Sequence, residues 1–420
     1  MKLPLTALLF LFPLGIAFAE TWPNYRGPNY DGTTAETVKT SWSGTPEETL
    51  WRVDTPLGFS SFAVGQEMAL TLVEEEIEGN PMEVVVALDR KSGEEVWKTG
   101  LWLAGGYDKG GAAGAKDNSG GDGPRSTPAI HGDKVYVIDS HLRVYCLSLA
   151  DGEIQWKHDV LKENSGSNIK WQNAASALVD GDLVFVAGGG RGQALIALNK
   201  DSGDVVWKAE NDAMTHATPI VCDLLGTRQV IFFTQEGLVA LSTTEGEELW
   251  RYDFPFNVST AASPVVWEDI VYCSAGYGVG AGAVKVTKDG DDFEATEIWR
   301  TENENINHWS TPVAKDGYLY GMFSFKKYGE GPLACVDIRT GEMKWSEEGY
   351  GPGNVILAGD NLLALSDSGD LVLVEAKPDG YTELTRASVL EGKCWSTPAL
   401  ADGVVYVRST QEGAALKLGE

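Results

Sequence analysis

Short runs of strand-like, largely apolar residues punctuate this chain from end to end. Val135-Tyr-Val-Ile138, Leu183-Val-Phe-Val186, Val271-Tyr-Cys273 and Val404-Val-Tyr-Val407 are typical, each bounded by Gly, Asp or Ser turn residues. Runs of this length with such flanks predict β-strands. They recur within a larger unit. Its first strand opens on a small-residue/proline signature: Ser126-Thr-Pro128, Ala217-Thr-Pro219, Ser263-Pro264, Ser310-Thr-Pro312 and Ser396-Thr-Pro398. Ser60-Ser-Phe62, Ala174-Ala-Ser176 and Gly353-Asn-Val355 are degenerate versions, which makes eight openings. Proline is tolerated at the first residue of a strand because no ladder donor is lost there.

The second half of the unit closes on Ala/Cys-x-Asp/Asn/Ser-x3-Gly-x3-Trp. Ala87, Asp89, Gly93 and Trp97 form the clearest copy. The same spacing gives Cys146, Ser148, Gly152 and Trp156, then Ala197, Asn199, Gly203 and Trp207. It recurs as Ala240, Ser242, Gly246 and Trp250, and as Cys335, Asp337, Gly341 and Trp345. A strand-bearing unit of ~40–50 residues signals radial or solenoid repetition. Four antiparallel strands per unit make a propeller blade. The expected fold is therefore all-β, an eight-bladed β-propeller. Two blades depart from the pattern. An acidic insertion, 291–297, separates Gly290 from Trp299 in the fifth, and Tyr381 follows Gly380 without a tryptophan in the seventh.

The last unit ends after its third strand, Ala414-Ala-Leu-Lys-Leu418, with no Trp-bearing strand behind it. Thr49-Leu-Trp51-Arg-Val-Asp54 is available at the other end of the chain. Ring closure removes exposed sheet edges, so this N-terminal strand is expected to complete the eighth blade. Residues 20–48 then form an irregular packed arm and 49–420 the propeller. Gly100 to Pro124 stands out as a long glycine-rich excursion, of the kind that is functional or disordered.

Composition narrows the function. The chain has 420 residues and a formal net charge of −28, with no clustered basic run. Nucleic acid is excluded as a partner on that ground. Residues 1–19 have the form of a signal peptide: Lys2, an apolar stretch, and Ala17-Phe-Ala19 as the small-x-small cleavage site. The stretch is short for a membrane span and contains Pro4 and Pro13. An exported protein, periplasmic or extracellular, with no transmembrane segment in its mature form, is expected. The five cysteines are an odd count, so at least one thiol stays free, and none shows metal-site spacing.

The repeat, together with its Ser-Thr-Pro opening, resembles the PQQ-type propeller repeat over residues ~50–418. The arm sequence Trp22-Pro-Asn-Tyr-Arg26-Gly27-Pro28 is similar to the opening of secreted PQQ-like repeat proteins of planctomycete- and verrucomicrobia-type bacteria. Two better understood groups share the repeat. One is the quinoprotein alcohol dehydrogenases, which the resemblance would supply with PQQ and calcium. The other is the outer-membrane-protein assembly factor B lipoprotein, a scaffold without cofactor. The dehydrogenases carry adjacent cysteines, which this chain lacks, and no matching calcium set aligns. The lipidated cysteine of the scaffold group is absent too.

Where the strand openings ring one channel mouth, the residue three before each proline, or its equivalent, faces the axis. That ring is Phe59, Arg125, Asn173, His216, Ala261, Trp309, Pro352 and Trp395, with Trp171, Gln172 and His308 beside it. Aromatic faces with a guanidinium, an amide and imidazoles suit stacking and directed hydrogen bonds. Phe59, Arg125, Asn173, His216, His308, Trp309 and Trp395 are the candidate ligand-binding residues, without a catalytic or metal set among them. The blade motif, Trp51 and Trp299 included, is read as packing. The expected function is a secreted, non-catalytic module that binds a protein, peptide or glycan at the mouth. The alternative is a PQQ- and calcium-dependent dehydrogenase.

Overall fold

The computed structural model describes residues 21–42, 48–107, 123–302, 305–323 and 331–419. The expected signal peptide and most of the glycine-rich excursion lie outside the described residues. Eight sheets surround a central channel, seven of four strands and one of five. Seven blades take their strands in sequence order, over 63–103, 129–159, 178–209, 220–253, 265–302, 313–347 and 354–388. The eighth runs Ala399–Ala401, Val404–Arg408, Glu412–Lys417 and then, outermost, Glu48–Asp54. The N-terminal strand thus closes the ring as the sequence predicts.

Burial follows from stacking of the blades. Lys134–Ile138 and Arg143–Ser148, the middle strands of the second blade, are buried on both faces because a neighbouring blade covers each. Outer strands are covered on one side only. Along Glu95–Leu103 only Trp97 and Leu101 are buried.

The blade motif has a geometric basis. Its small residue is the direct cross-strand partner of its tryptophan: Ala87 opposite Trp97, Ala197 opposite Trp207, Cys335 opposite Trp345 and Ala415 opposite Trp51. In all eight blades the register shifts by one residue just before this position. Such a bulge re-aims the following side chain. The indole then meets the next blade. Trp51, Trp97, Trp156, Trp207 and Trp299 donate from Nε1 to Arg90, Leu149, Lys200, Thr243 and Ile338 carbonyls, at 2.7–3.0 Å. The glycine of that next blade lies flat on the ring. A Cβ on Gly203 would sit 2.7 Å from Trp156, and one on Gly341 2.7 Å from Trp299.

The two irregular blades resolve differently. In the fifth, the insertion lengthens a hairpin, Gly280–Asp289 with Asp292–Glu302, so Gly290 meets nothing and Trp250 donates instead to Gln229 of its own blade at 2.7 Å. In the seventh, Thr385 occupies the tryptophan register, opposite Leu373. Trp42 of the arm comes to it: the Thr385 hydroxyl donates to the Trp42 carbonyl at 2.9 Å. The Trp42 side chain is buried in the cluster shared by the seventh and eighth blades.

The arm crosses the channel end where the innermost strands finish. Trp22 bridges Val64, the Ile130 amide donates to the Pro23 carbonyl, and Thr33–Thr34 pairs in parallel with Leu357 and Ala358. Arg26 is buried, its guanidinium donating to the carbonyls of Thr311 and Pro312 at 2.8 Å. Gly27, at φ +77°, lies against the Trp22 ring, 3.0 Å from a would-be Cβ. The Trp-Pro-x-x-Arg-Gly opening therefore clasps blades on opposite sides of the ring.

Candidate functional site

At the other channel end the lining is set by the strand openings. A belt of hydroxyls links the blades there. Ser61 N–H donates to Thr127 Oγ1 at 3.0 Å, Thr127 N–H to Ser176 Oγ at 2.9 Å, and Ser176 N–H to Thr218 Oγ1 at 2.9 Å. Ser263 to Thr311 and Thr397 to Ser61 repeat the bond at 2.9 and 2.8 Å. The threonine of Ser-Thr-Pro is thus an inter-blade tie, which explains a small hydroxyl residue at that place.

Above the belt lies a cavity of about 140 Å³. Phe59, Arg125, His216, Ala261, His308, Trp309 and Trp395 line it, as do Trp171, Tyr277, Ser259 and, from the arm below, Tyr25. The rings form a continuous arc. Phe59 stacks on Trp395 with centroids 5.1 Å apart, Trp395 lies 4.6 Å from Trp309, and Trp309 4.9 Å from His308. His308 then meets Tyr277 edge-on at 5.1 Å, and Tyr277 and His216 flank Trp171 at 6.2 and 6.3 Å. Arg125 closes the arc, donating to the Trp171 carbonyl at 2.8 Å while its guanidinium lies over Tyr107 at 5.3 Å.

Asn173 is the exception among the candidates. The belt shows that Ser176, not Ala175, is the equivalent of Thr127, so the residue facing the axis is Ala174. Asn173 is buried in a turn, its amide donating to Ala175 and Asp139 carbonyls at 3.0 and 3.3 Å. Pro352 and Gln172 also stay off the lining; the Pro352 carbonyl receives the Trp309 indole N–H at 3.1 Å. Tyr277 and Tyr25 have no repeat signature. Tyr277 sits in the turn 276–279 between the strands Ile270–Ala275 and Gly280–Asp289, and Tyr25 reaches the cavity only because the arm plugs the far end.

Two features show how firmly the wall is held. Trp171 and Gln172 both adopt left-handed backbone, φ +70° and +67°, conformations that cost of order 1–3 kcal/mol each outside glycine and cluster at ligand sites. Trp395 donates its indole N–H to Asp367, which Lys393 pairs at 3.0 Å. The imidazoles are neutral at physiological pH. Burial lowers His216 to about 4 and His308 to about 3. His216 Nε2 donates to the Lys170 carbonyl at 2.9 Å, so Nδ1 accepts from Ser259 Oγ, also 2.9 Å away. Among the described residues no carboxylate stands behind this serine–histidine contact, and a base with so low a pKa removes protons poorly near neutrality.

The donor set does not fit PQQ with calcium. Calcium takes six to eight oxygen ligands, carboxylates prominent among them. Among the described residues no aspartate or glutamate lines the cavity, and none form a cluster of three or more His, Cys, Asp or Glu side chains. The five cysteines are separate free thiols, four of them buried.

Comparison with known proteins agrees with the fold. A family profile described as outer membrane protein assembly factor BamB matches residues 81–347. The Yersinia pestis protein of that name is 24% identical over 297 residues, covering 67% of this chain and 70% of the other. The crystal structure of BamB from Moraxella catarrhalis superposes with a TM-score of 0.60 at 15% identity, over 88% of this chain and 96% of that one. Quinohemoprotein alcohol dehydrogenase from Comamonas testosteroni gives 0.65 at 13% identity, over 97% and 82%. Identities this low speak for the architecture alone, whereas the profile covers more than half of the chain: the protein belongs to the outer membrane protein assembly factor BamB family of PQQ-like β-propellers.

Proposed function

We propose that the protein is an exported, non-catalytic binding scaffold that engages a protein, peptide or glycan through the channel mouth. The observation that carries this reading is the aromatic arc from Phe59 to His216, walled around a cavity whose far end the arm blocks. Among the described residues the lining supplies stacking surface and hydrogen-bond donors, but no acid–base pair tuned to neutral pH. Family membership supports a scaffold role, since BamB proteins are named as assembly factors. No helix of the described residues is long and apolar enough to cross a membrane.

Binding to peptide and glycan arrays, wild type beside Trp309→Ala and Trp395→Ala, tests the reading. Truncating a buried aromatic anchor costs about 2 kcal/mol of binding, roughly 30-fold. Each variant is expected to lose binding on that scale with little loss of thermal stability. The reverse, lost stability with no ligand effect, makes the arc a structural plug. Titration with PQQ and calcium, followed by dye-linked alcohol oxidation, is the counter-test. Turnover there overturns the non-catalytic reading.

A further inference from the structure

We propose that a second cavity, at the arm end of the channel, docks an extended peptide segment of another protein, which joins the innermost strands of the fourth and fifth blades as the arm joins those of other blades. In an antiparallel pair, alternate residues of an edge strand turn N–H and C=O away from the partner. In the innermost strands these groups face the channel, and the residue three beyond each tying hydroxyl is one that does so. Such positions bond to the arm. Val64 exchanges both bonds with Trp22, at 2.7 and 2.9 Å. Ile130 N–H donates to the Pro23 carbonyl at 2.7 Å, and Leu357 N–H to the Gly32 carbonyl at 2.9 Å. Val179 N–H donates to the Tyr30 hydroxyl at 3.2 Å, which donates to the Val179 carbonyl at 2.6 Å. Val221 and Val266 hold the same register, opposite Val230 and Val271. Among the described residues the arm gives neither of them a bond. It also passes over Ala314 and Leu400, but these are not on the cavity wall.

What sets Val221 and Val266 apart is room. They stand on adjacent blades and line a cavity of about 480 Å³ beside the arm, within the ~300–1,000 Å³ range of ligand sites. Its walls are largely aliphatic, with Ile220 and Val265 beside the two valines. Pro28, Asn29 and His131 of the lining are exposed, so the cavity is reached from solvent. The arm shows how little chain such a site needs. Trp22 and Pro23 are consecutive, yet they serve Val64 and Ile130 on adjacent blades. Two successive residues of an extended segment can serve Val266 and Val221 in the same way. Main-chain bonds of this kind supply affinity and side-chain pockets supply choice; aliphatic walls choose bulky apolar side chains. An apolar small molecule would displace water without answering the N–H and C=O of either valine, a cost that a peptide backbone avoids. The site continues the arm's own interface with the blades and is independent of the mouth.

Hydrogen exchange of the whole chain, resolved to single amides by fragmentation mass spectrometry, is the first measurement. Without peptide, Val221 and Val266 should exchange about tenfold faster than Ile130 and Leu357. Protection equal to that of Ile130 means that this chain already covers the edge, and protection that grows with protein concentration means that a second copy does; either result overturns the proposal. The probe is a library of acetylated, amidated hexapeptides randomised over Val, Phe, Trp, Pro, Gly and Ser, selected on the protein. The tightest peptide should slow exchange at Val221 and Val266 to the level of Ile130. Val221→Pro and Val266→Pro each remove one channel-facing N–H without taking a ladder bond, and each should weaken that peptide about tenfold. Where circular dichroism shows either variant misfolded, Val266→Trp, which fills the cavity from a half-buried position, carries the same expectation. Trp309→Ala, at the mouth, should leave the affinity unchanged. A peptide that binds all the valine variants normally, one that is lost with Trp309→Ala instead, or a library without a binder overturns the proposal, and none of these outcomes decides whether the mouth binds a glycan.

Discussion

Replacing Gly93 by alanine tests the contact that holds the ring shut. Gly93 has φ +75°, and a Cβ there would lie 2.7 Å from Trp51 Cγ and 2.9 Å from Trp51 Cβ and Cδ2. Trp51 has nowhere to retreat. Its indole donates to the Arg90 carbonyl at 3.0 Å, and Phe62 and Tyr406 flank it with centroids 5.8 and 5.9 Å away. Alanine in left-handed backbone costs about 1–2 kcal/mol by itself, and overpacking a filled site adds about 1–3 kcal/mol. Gly290 separates the two contributions. Its φ is +62°, but nothing lies within 4 Å of its would-be Cβ. Gly290→Ala therefore pays only the backbone cost, and Gly93→Ala should be less stable than it by about 1–3 kcal/mol. Urea unfolding followed by far-ultraviolet circular dichroism measures both, with unchanged m-values as the condition for comparing midpoints. Equal losses in the two variants would refute stacking of glycine on tryptophan as the lock between blades.

Trp97→Ala and Trp207→Ala should each cost roughly 3–5 kcal/mol, as large-to-small changes of buried aromatics do; a loss below about 1 kcal/mol in urea unfolding contradicts a packing role. Trp42→Ala should fall in the same range even though Trp42 lies outside the repeats, because it is buried beside Thr385 where the seventh blade has no tryptophan of its own. Deleting residues 48–55 should destabilise the whole ring, and a thermal melt like that of wild type would disprove closure as a stabilising device. Glu83 is fully buried, accepting from Tyr107 and Ser140, and burial, with Asp139 nearby, raises its carboxyl to about 7. The folded state then holds a proton that the unfolded chain has released, so this group's contribution is complete below about pH 4.5, is lost as pH rises through 7, and amounts to about 3 kcal/mol. Glu83→Gln should flatten the fall in urea midpoint between those pH values, and an unchanged slope argues against the assignment.

The repeat made the architecture legible because the motif records backbone geometry. Alanine or cysteine opposite a tryptophan, and glycine under the next one, are demands that few residues meet, so they show in the sequence. Trp51 was readable for the same reason. The bulge before each tryptophan was not, since the skipped residue is Val96 in one blade, Gln155 in another and Lys344 in a third; an unpaired outward position imposes no identity. At the mouth, register counting from proline placed most of the lining but failed at Asn173, where the third blade has no proline to count from. Tyr25 and Trp42 were beyond reach of any periodic argument. Their places depend on the path of an arm that follows no repeat, and that path is set by Arg26 seeking carbonyls on the far side of the ring.

Closure by the N-terminal strand imposes an order on folding. Arg52 pairs with Glu412, 360 positions later, and the arm lies against blades drawn from both ends of the sequence. A chain emerging N-terminus first, whether from a ribosome or through a translocation pore, cannot seat its first strand until its last one has arrived. Until then the sheet of the eighth blade lacks its outer member, Trp51 lacks its contacts with Tyr406 and Ala415, and Trp42 has no socket. Contacts of such long sequence separation are slow to form, and a waiting strand and a waiting edge are open to pairing with another molecule. The clasp that stabilises the finished ring therefore makes completion of the chain the event that commits it to the native state.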